Sequence, residues 1–272
     1  MKSGGEALPL FERTNFPLSS RWVARPAAKK RVVLLLHGLG SSGADWFPQW
    51  TVLEAKWPVL TVDLPGHGES PPLRNPTTMA GLAESLADLL ADQGLHQVHL
   101  VGLSLGAVVG LQLAVDQPQL LRSMVLVNGF GRFRPGKGGV LSALGRFVLL
   151  LMGRMDWVGA WVARSVFPGA DQVQFRQQAA ARIAAVDRTT YWHYLRALAS
   201  FDVLDQLGGV AIPALVVAGE DDGIVGLQAK KELAKRLPQA DLHVIPNSGH
   251  ATPIDAMERF NGMMMSWLDK VD

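Results

Sequence analysis

The residues Gly102-Leu103-Ser104-Leu105-Gly106 have the types and spacing of a nucleophile turn. They follow a short apolar run and open a helix-like one. A serine exposed on a sharp strand-to-helix turn strains the backbone, so the positions two before and two after it must be small. Gly102 and Gly106 meet that demand. The helix start beneath Ser104 would offer backbone N–H groups and a positive dipole end to a developing oxyanion. His37-Gly38-Leu39-Gly40 ends the first strong apolar run. Its two glycines permit a tight turn that aims the Leu39 N–H at the point faced by the Leu105 N–H. Two such donors form an oxyanion hole, each contributing on the order of 3 kcal/mol to the transition state. His37 reads as a brace for this loop and not as a base.

A serine hydroxyl needs a base to take its proton, and the base needs a partner to orient it. Gly219-Glu220-Asp221-Asp222-Gly223-Ile224-Val225 supplies three acids after one apolar run, and Pro246-Asn247-Ser248-Gly249-His250-Ala251 supplies a histidine after the next. The order serine, acid, histidine is the one expected for an elbow of this type. The chemistry would be acyl transfer through a serine ester, with no cofactor and no metal.

The elements that must position these groups are legible as alternation. Nearly continuous apolar runs at 31–36, 59–63, 98–102, 124–128, 214–218 and 242–245 suit strands buried on both faces. Helical patterns lie between them at 79–93, 105–116, 227–236 and 256–267. Strand–helix alternation predicts an α/β doubly wound, mostly parallel sheet flanked by helices. From about 131 to 206 the alternation stops, and only helix-like stretches rich in Trp, Leu, Ala and Arg appear. Glycines at 136, 138 and 139 read as a flexible entry, and Leu207-Gly208-Gly209 as an exit. The expected organisation is a core formed by 1–130 and 207–272, with a helical cap inserted at 131–206.

These motifs carry a resemblance. The chain resembles the α/β-hydrolase fold superfamily of serine esterases and related hydrolases from about Val32 to Leu268, apart from the cap. Asp63-Leu64-Pro65-Gly66-His67-Gly68-Glu69-Ser70 is similar to the family's D-x-P-G-x-G-x-S loop, which there is structural and implies no catalytic role for His67 or Ser70. The family's acid usually stands three residues after the glycine ending its strand, which selects Asp222 over Asp221 and Glu220. An alternative acid position, after the preceding core strand, holds Asn128 and cannot serve. The resemblance thus implies Ser104 as nucleophile, His250 as base, Asp222 as orienter, and Leu39 and Leu105 as oxyanion donors. Serine at 104 argues against the relatives that form their ester on an aspartate. Ala107 stands where many relatives carry a second glycine, which implies tighter helix packing there.

The implied activity is hydrolysis of a carboxylic ester with a hydrophobic acyl or aryl group. Hydrolysis of a C–C bond in a ring-cleaved aromatic diketone, or cofactor-free perhydrolysis, would use the same triad. A ligand-binding receptor with a residual triad is the non-enzymatic alternative. Trp157, Trp161, Trp192, Met152 and Met155 are expected in the cap core or lining its pocket, and Asp45 and Trp46 behind the oxyanion loop. Residues 129–206 hold ten basic against five acidic residues, whereas the whole chain carries only +2. Those arginines read mainly as solvated helix faces, with an acidic acyl carrier as a partner they could dock. They are too dilute for a nucleic-acid footprint. The absence of cysteine excludes disulfides, thiolate metal sites and a cysteine nucleophile. His96, His99, His193 and His243 show no metal-ligand spacing. No secretory signal or transmembrane run is apparent, so a cytoplasmic location is expected.

Overall fold

The computed structural model describes residues 18–24, 31–133, 149–150 and 152–272. The expected glycine-rich entry to the cap lies outside the described residues, as does the start of the chain. Seven strands form one sheet in the order β1-β3-β2-β4-β5-β6-β7. They are β1 (Ser19–Ala24), β2 (Val33–Leu36), β3 (Val59–Asp63), β4 (Val98–Leu103), β5 (Leu121–Val127), β6 (Ala214–Gly219) and β7 (Ala240–Ile245). All neighbours pair in parallel except β1, which runs antiparallel to β3 and places Ser19 opposite Asp63. The fold is therefore the α/β-hydrolase architecture that the motifs implied.

The helices with described bounds are α1 (Phe47–Leu53), α2 (Met79–Asp92), α3 (Leu105–Asp116), α4 (Met155–Val166), α5 (Val173–Ala185), α6 (Arg188–Ala199), α7 (Leu227–Arg236), α8 (Thr252–Asp255) and α9 (Met257–Val271). Side chains alternate across a strand, so neighbouring residues of one apolar run enter different cores. Leu34, Leu36, Leu60, Val62, Leu100, Leu126 and Val216 pack with α2, α3 and Leu233 of α7 on one face. Val33, Leu35, Val59, Val101, Val125, Leu215 and Val217 pack with Leu53 of α1 and with Phe260, Met264 and Trp267 of α9 on the other. Two covered faces explain why these runs lack a polar period. The parallel arrangement also gathers the C-terminal ends of β2, β4, β5, β6 and β7 along one edge, where their loops can meet.

Two strands depart from the expected pattern. β1 is half-exposed and polar at its start, so it has no apolar run to announce it. β7 was expected to be buried on both faces but leaves Asp241, His243 and Val244 exposed, because it is the edge strand and lacks a full cover. The helices α4, α5 and α6 lie between β5 and β6 in the sequence. They form their own apolar cluster from Leu150, Val158, Ile183, Val186 and Tyr191. α4 and α5 approach closely at Gly159, where a Cβ would stand 2.4 Å from the Ala180 carbonyl oxygen. Among the described residues, no helix is long and apolar enough to cross a membrane.

Candidate active site

Ser104 sits between the end of β4 and the first turn of α3 with φ 51° and ψ −109°, in a region that side chains other than glycine rarely occupy. Its own N–H donates to the Val127 carbonyl of β5 at 2.8 Å, which ties the strained residue to the sheet. The flanking glycines are sterically required. A Cβ on Gly102 would stand 2.6 Å from the Ala107 nitrogen, and one on Gly106 would stand 2.3 Å from the Leu36 carbonyl oxygen. Ala107 is accommodated because its neighbour across the gap is Gly129, whose Cβ would come within 2.8 Å of the alanine methyl.

The loop after β6 delivers Asp222 and the loop after β7 delivers His250. His250 Nδ1 lies 2.9 Å from Asp222 Oδ2. Asp222 Oδ1 accepts the N–H groups of Ile224 at 2.8 Å and Val225 at 3.0 Å, so its own loop fixes the carboxylate. Lys230 of α7, whose side chain is fully buried, places Nζ 2.7 Å from Asp222 Oδ2. Burial alone would raise the Asp222 carboxyl, but His250 and Lys230 outweigh it and hold the group well below the usual carboxylate range. Glu220 and Asp221, the other acids of this segment, are exposed.

The His250 loop is held from two sides. Asn128, at φ 50° after β5, donates from Nδ2 to the carbonyl of His250 at 2.8 Å and to Thr252 Oγ1 at 2.8 Å. Its Oδ1 accepts the Gly219 N–H at 2.9 Å. The position that holds an acid in some relatives is therefore a tie between the loops. Asp255 accepts the Ser248 hydroxyl at 2.7 Å and the Gly249 N–H at 2.8 Å.

The oxyanion-loop candidates rest on two buried histidines. His37 Nδ1–H donates to the Gly38 carbonyl at 2.8 Å, and its Nε2 accepts the Leu64 N–H at 2.9 Å. His67 Nε2 accepts the Gly40 N–H at 3.0 Å, leaving Nδ1–H to face the Pro65 carbonyl at 3.1 Å. These partners set the tautomers. Burial lowers His37 to about 4 and, with His37 adding its repulsion, His67 to about 3, so both rings are neutral near pH 7. Gly40 has φ +78°, and its Cβ would fall 2.4 Å from Ile183 Cγ1 of α5. Gly38 does not share that constraint: its Cβ would meet nothing closer than 3.6 Å. Only one of the two glycines is therefore demanded by the turn itself.

The D-x-P-G-x-G-x-S segment braces the same region. Asp63 accepts the N–H groups of Gly43 at 2.7 Å and Glu69 at 3.0 Å. Ser70 Oγ donates to the Asp63 carbonyl at 2.6 Å and accepts the Ser19 N–H at 2.7 Å. Helix α6 docks on this segment, with Tyr194 donating to the Pro65 carbonyl at 2.9 Å and Thr190 Oγ1 accepting the Leu73 N–H at 3.0 Å.

Ser104, His250 and Leu39 line one cavity of about 410 Å³, which is bounded below by the sheet edge and above by α4, α5 and α6. Leu105 is buried beneath it. Among the described residues no hydrogen bond joins Ser104 Oγ to His250; such bonds are often long before substrate binds. The walls are mostly apolar, including Phe130, Phe133, Phe167, Phe175, Val162 and Leu198. The Trp and Met expectation holds only in part: Met155 packs against the cap cluster. Trp157, Trp161, Trp192 and Met152 point outward with 36–64% exposure, and neither they nor Met155 line the cavity. The apolar face that α4 turns inward is instead made by Val158, Val162 and Val166. Asp45 and Trp46 also border the cavity, with Trp46 buried in the core beside Phe260, and Asp45 pairs with Arg182 of α5. Arg132 and Arg154 likewise pair with Asp202 and Asp156. Of the other histidines, His99 is buried against Ser123 and Asp272, and no group of three metal-ligating side chains occurs among the described residues. Lys230 and the tying role of Asn128 escaped sequence reasoning. A lysine on an otherwise ordinary amphipathic helix carries no visible signal, and the sequence around Asn128 shows only that an acid is missing there.

The relatives point the same way as the geometry. The chain is 33% identical over 256 residues to a protein of Caulobacter vibrioides (strain NA1000 / CB15N) named "Putative carbamate hydrolase RutD", covering 90% of this chain and 92% of the relative. A protein of the same name from Shigella flexneri is 32% identical over 253 residues, covering 89% and 93%. Among solved structures, a hydrolase from Pseudomonas aeruginosa PA01 superposes with a TM-score of 0.83 at 26% identity, covering 92% of this chain and 94% of that one. The enol-lactonase from Burkholderia xenovorans LB400 shares the fold at a TM-score of 0.83 and 23% identity, covering 93% and 96%. Residues 33–262, from the first parallel strand into the last helix, match the family described as "Alpha/beta hydrolase family". With its sheet order, strained serine turn and late acid and histidine loops, this chain belongs to the alpha/beta hydrolase family and is a hydrolase.

Proposed function

We propose that the protein is a serine hydrolase that cleaves a carboxylic ester of a hydrophobic acyl or aryl group through an acyl-enzyme on Ser104. The observation that carries this reading is the Asp222–His250 pair at 2.9 Å opening on the same apolar cavity as the strained Ser104. In the first half-reaction Ser104 Oγ attacks the ester carbonyl carbon while its proton passes to His250 Nε2. The carbonyl oxygen takes up the negative charge and accepts hydrogen bonds from the Leu39 and Leu105 N–H groups. Asp222 stabilises the imidazolium and keeps Nδ1 protonated. Collapse breaks the bond to the alcohol, which leaves with the proton from His250. Water then repeats the sequence on the acyl-enzyme, releasing the acid and restoring Ser104. No cofactor enters any step.

A second reading is favoured by the name that the relatives from Caulobacter vibrioides and Shigella flexneri carry. A carbamate presents the same attackable carbonyl, so the same residues would act in the same roles. The two readings differ in size and polarity: the apolar cavity suits a sizeable hydrophobic acyl group better than a small polar carbamate. A panel of p-nitrophenyl esters from acetate to octanoate, run beside alkyl carbamates, a lactone and a vinylogous diketone, tests the choice. The ester reading expects kcat/KM to rise with acyl length and carbamates to lag. A small carbamate hydrolysed faster than every ester would replace it, and a diketone preference would assign the C–C alternative.

A further inference from the structure

We propose that Lys230 is a positioning residue of the catalytic relay, which locks Asp222 in place and shares the negative charge that His250 would otherwise have to itself. The inference rests on the serine-hydrolase reading above. The geometry is specific. Asp222 has four donors on two oxygens, and they are not evenly divided: Oδ1 takes the two loop N–H groups, whereas Oδ2 takes both His250 Nδ1 at 2.9 Å and Lys230 Nζ at 2.7 Å. Both the Lys230 and Asp222 side chains have 0% exposure, so solvent does not screen the pair. Lys230 also donates to the Gly219 carbonyl at 3.2 Å, which anchors the ammonium at the end of β6, where the acid loop begins. Gly219 is the residue whose N–H binds Asn128.

A carboxylate stabilises an imidazolium by its charge as well as by its hydrogen bond. An ammonium on the same oxygen cancels part of that charge while leaving the hydrogen bond intact. Removing the ammonium would return that charge to His250, while the hydrogen bond would still set its orientation and tautomer. The acidic group that faces His250 from the other side, Asp255, is engaged by Ser248 and Gly249 and is not altered by a change at 230. Among the described residues, the carboxylate paired with Lys230 is that of Asp222. Burial pushes the ammonium's affinity for its proton down, and Asp222 pulls it back up. A buried ammonium with no such partner would be costly enough to be rare.

The test uses Lys230→Met and Lys230→Arg in the full chain, with two readouts. One is the acid limb of kcat/KM for p-nitrophenyl butyrate between about pH 5 and 9. The other is the NMR titration of His250, identified among the seven histidines by comparison with His250→Asn. In Lys230→Met, both the limb and the titration midpoint should move up by about one to three pH units, with Lys230→Arg staying close to wild type. Should Lys230→Met not fold, Lys230→Gln, which keeps donors and loses the charge, carries the same expectation. A His250 midpoint in the folded neutral variant equal to that of wild type would overturn the proposal. A wild-type protein that neither hydrolyses esters nor takes a fluorophosphonate on Ser104 would instead overturn the hydrolytic reading, and the titration would still test the Lys230–His250 coupling.

Discussion

Asn128 holds the carbonyl of His250 at 2.8 Å from its own side-chain amide, although the two residues are 122 positions apart. The same amide accepts the Gly219 N–H through its oxygen, so one side chain joins the ends of β5 and β6 to the histidine loop. Removing it leaves a buried N–H and a buried carbonyl unpaired, each costing about 1–3 kcal/mol. Asn128→Ala should therefore lower stability by about 2 kcal/mol in urea unfolding and lower kcat more than it raises KM. Asn128→Asp should fare no better, since a carboxylate cannot donate to the carbonyls of Gly249 and His250 and would not take over from Asp222. Full activity in Asp222→Asn/Asn128→Asp would contradict this account of the position.

Gly38 and Gly40 are close in sequence but differ in what they tolerate. Gly40 is at φ +78° with its Cβ direction blocked by Ile183, whereas Gly38 has ordinary room. Gly40→Ala should cost at least about 1–2 kcal/mol and displace the Leu39 N–H, lowering kcat. Gly38→Ala should change stability by less than about 0.5 kcal/mol. Equal unfolding midpoints for the two variants would refute the assignment.

Two buried neutral histidines give stability a pH dependence of known sign. Their folded pKa values, about 4 for His37 and about 3 for His67, lie below the unfolded value of 6.5. Below pH 6.5 the unfolded chain therefore binds more protons than the folded one, and stability falls as pH drops towards 4. Each ring contributes up to about 1.4 kcal/mol per pH unit in that window. Urea midpoints measured between pH 7.5 and 4.5 should decline below about 6.5. His37→Asn should flatten the decline while lowering the plateau, and an unchanged slope would count against the buried neutral state.

The Arg182–Asp45 pair joins α5 to the turn that follows Gly40, and both side chains reach the cavity. With Arg182 47% exposed, the pair should contribute less than about 1 kcal/mol to stability. Arg182→Met should leave the thermal midpoint almost unchanged yet alter the order of KM values across the ester series. A variant with a large stability loss and an unaltered ester ranking would show the reverse.

Much of this arrangement is legible in the residues themselves. Gly102 and Gly106 are readable because the turn they flank has room for nothing larger, and the sheet is readable because strands covered on both faces become unbroken apolar runs. β1 is not readable, since half-exposed and partly polar residues give it no run. The edge position of β7 is invisible locally because it depends on there being no further neighbour among the described residues. Trp157 and Trp161 misled because helical spacing fixes which residues share a face but not which face turns inward. Lys230 was silent because a charge on a helix is ordinarily solvated, and only the fold reveals that this one is buried against Asp222.

The most direct test of the central claim is intact-protein mass spectrometry after brief exposure to a fluorophosphonate or a p-nitrophenyl ester, followed by peptide mapping. The serine-hydrolase account predicts one adduct, on Ser104, absent in Ser104→Ala and formed at least about a thousand-fold more slowly in His250→Ala. An adduct that forms at the wild-type rate without His250, or in the chain lacking Ser104, would contradict it.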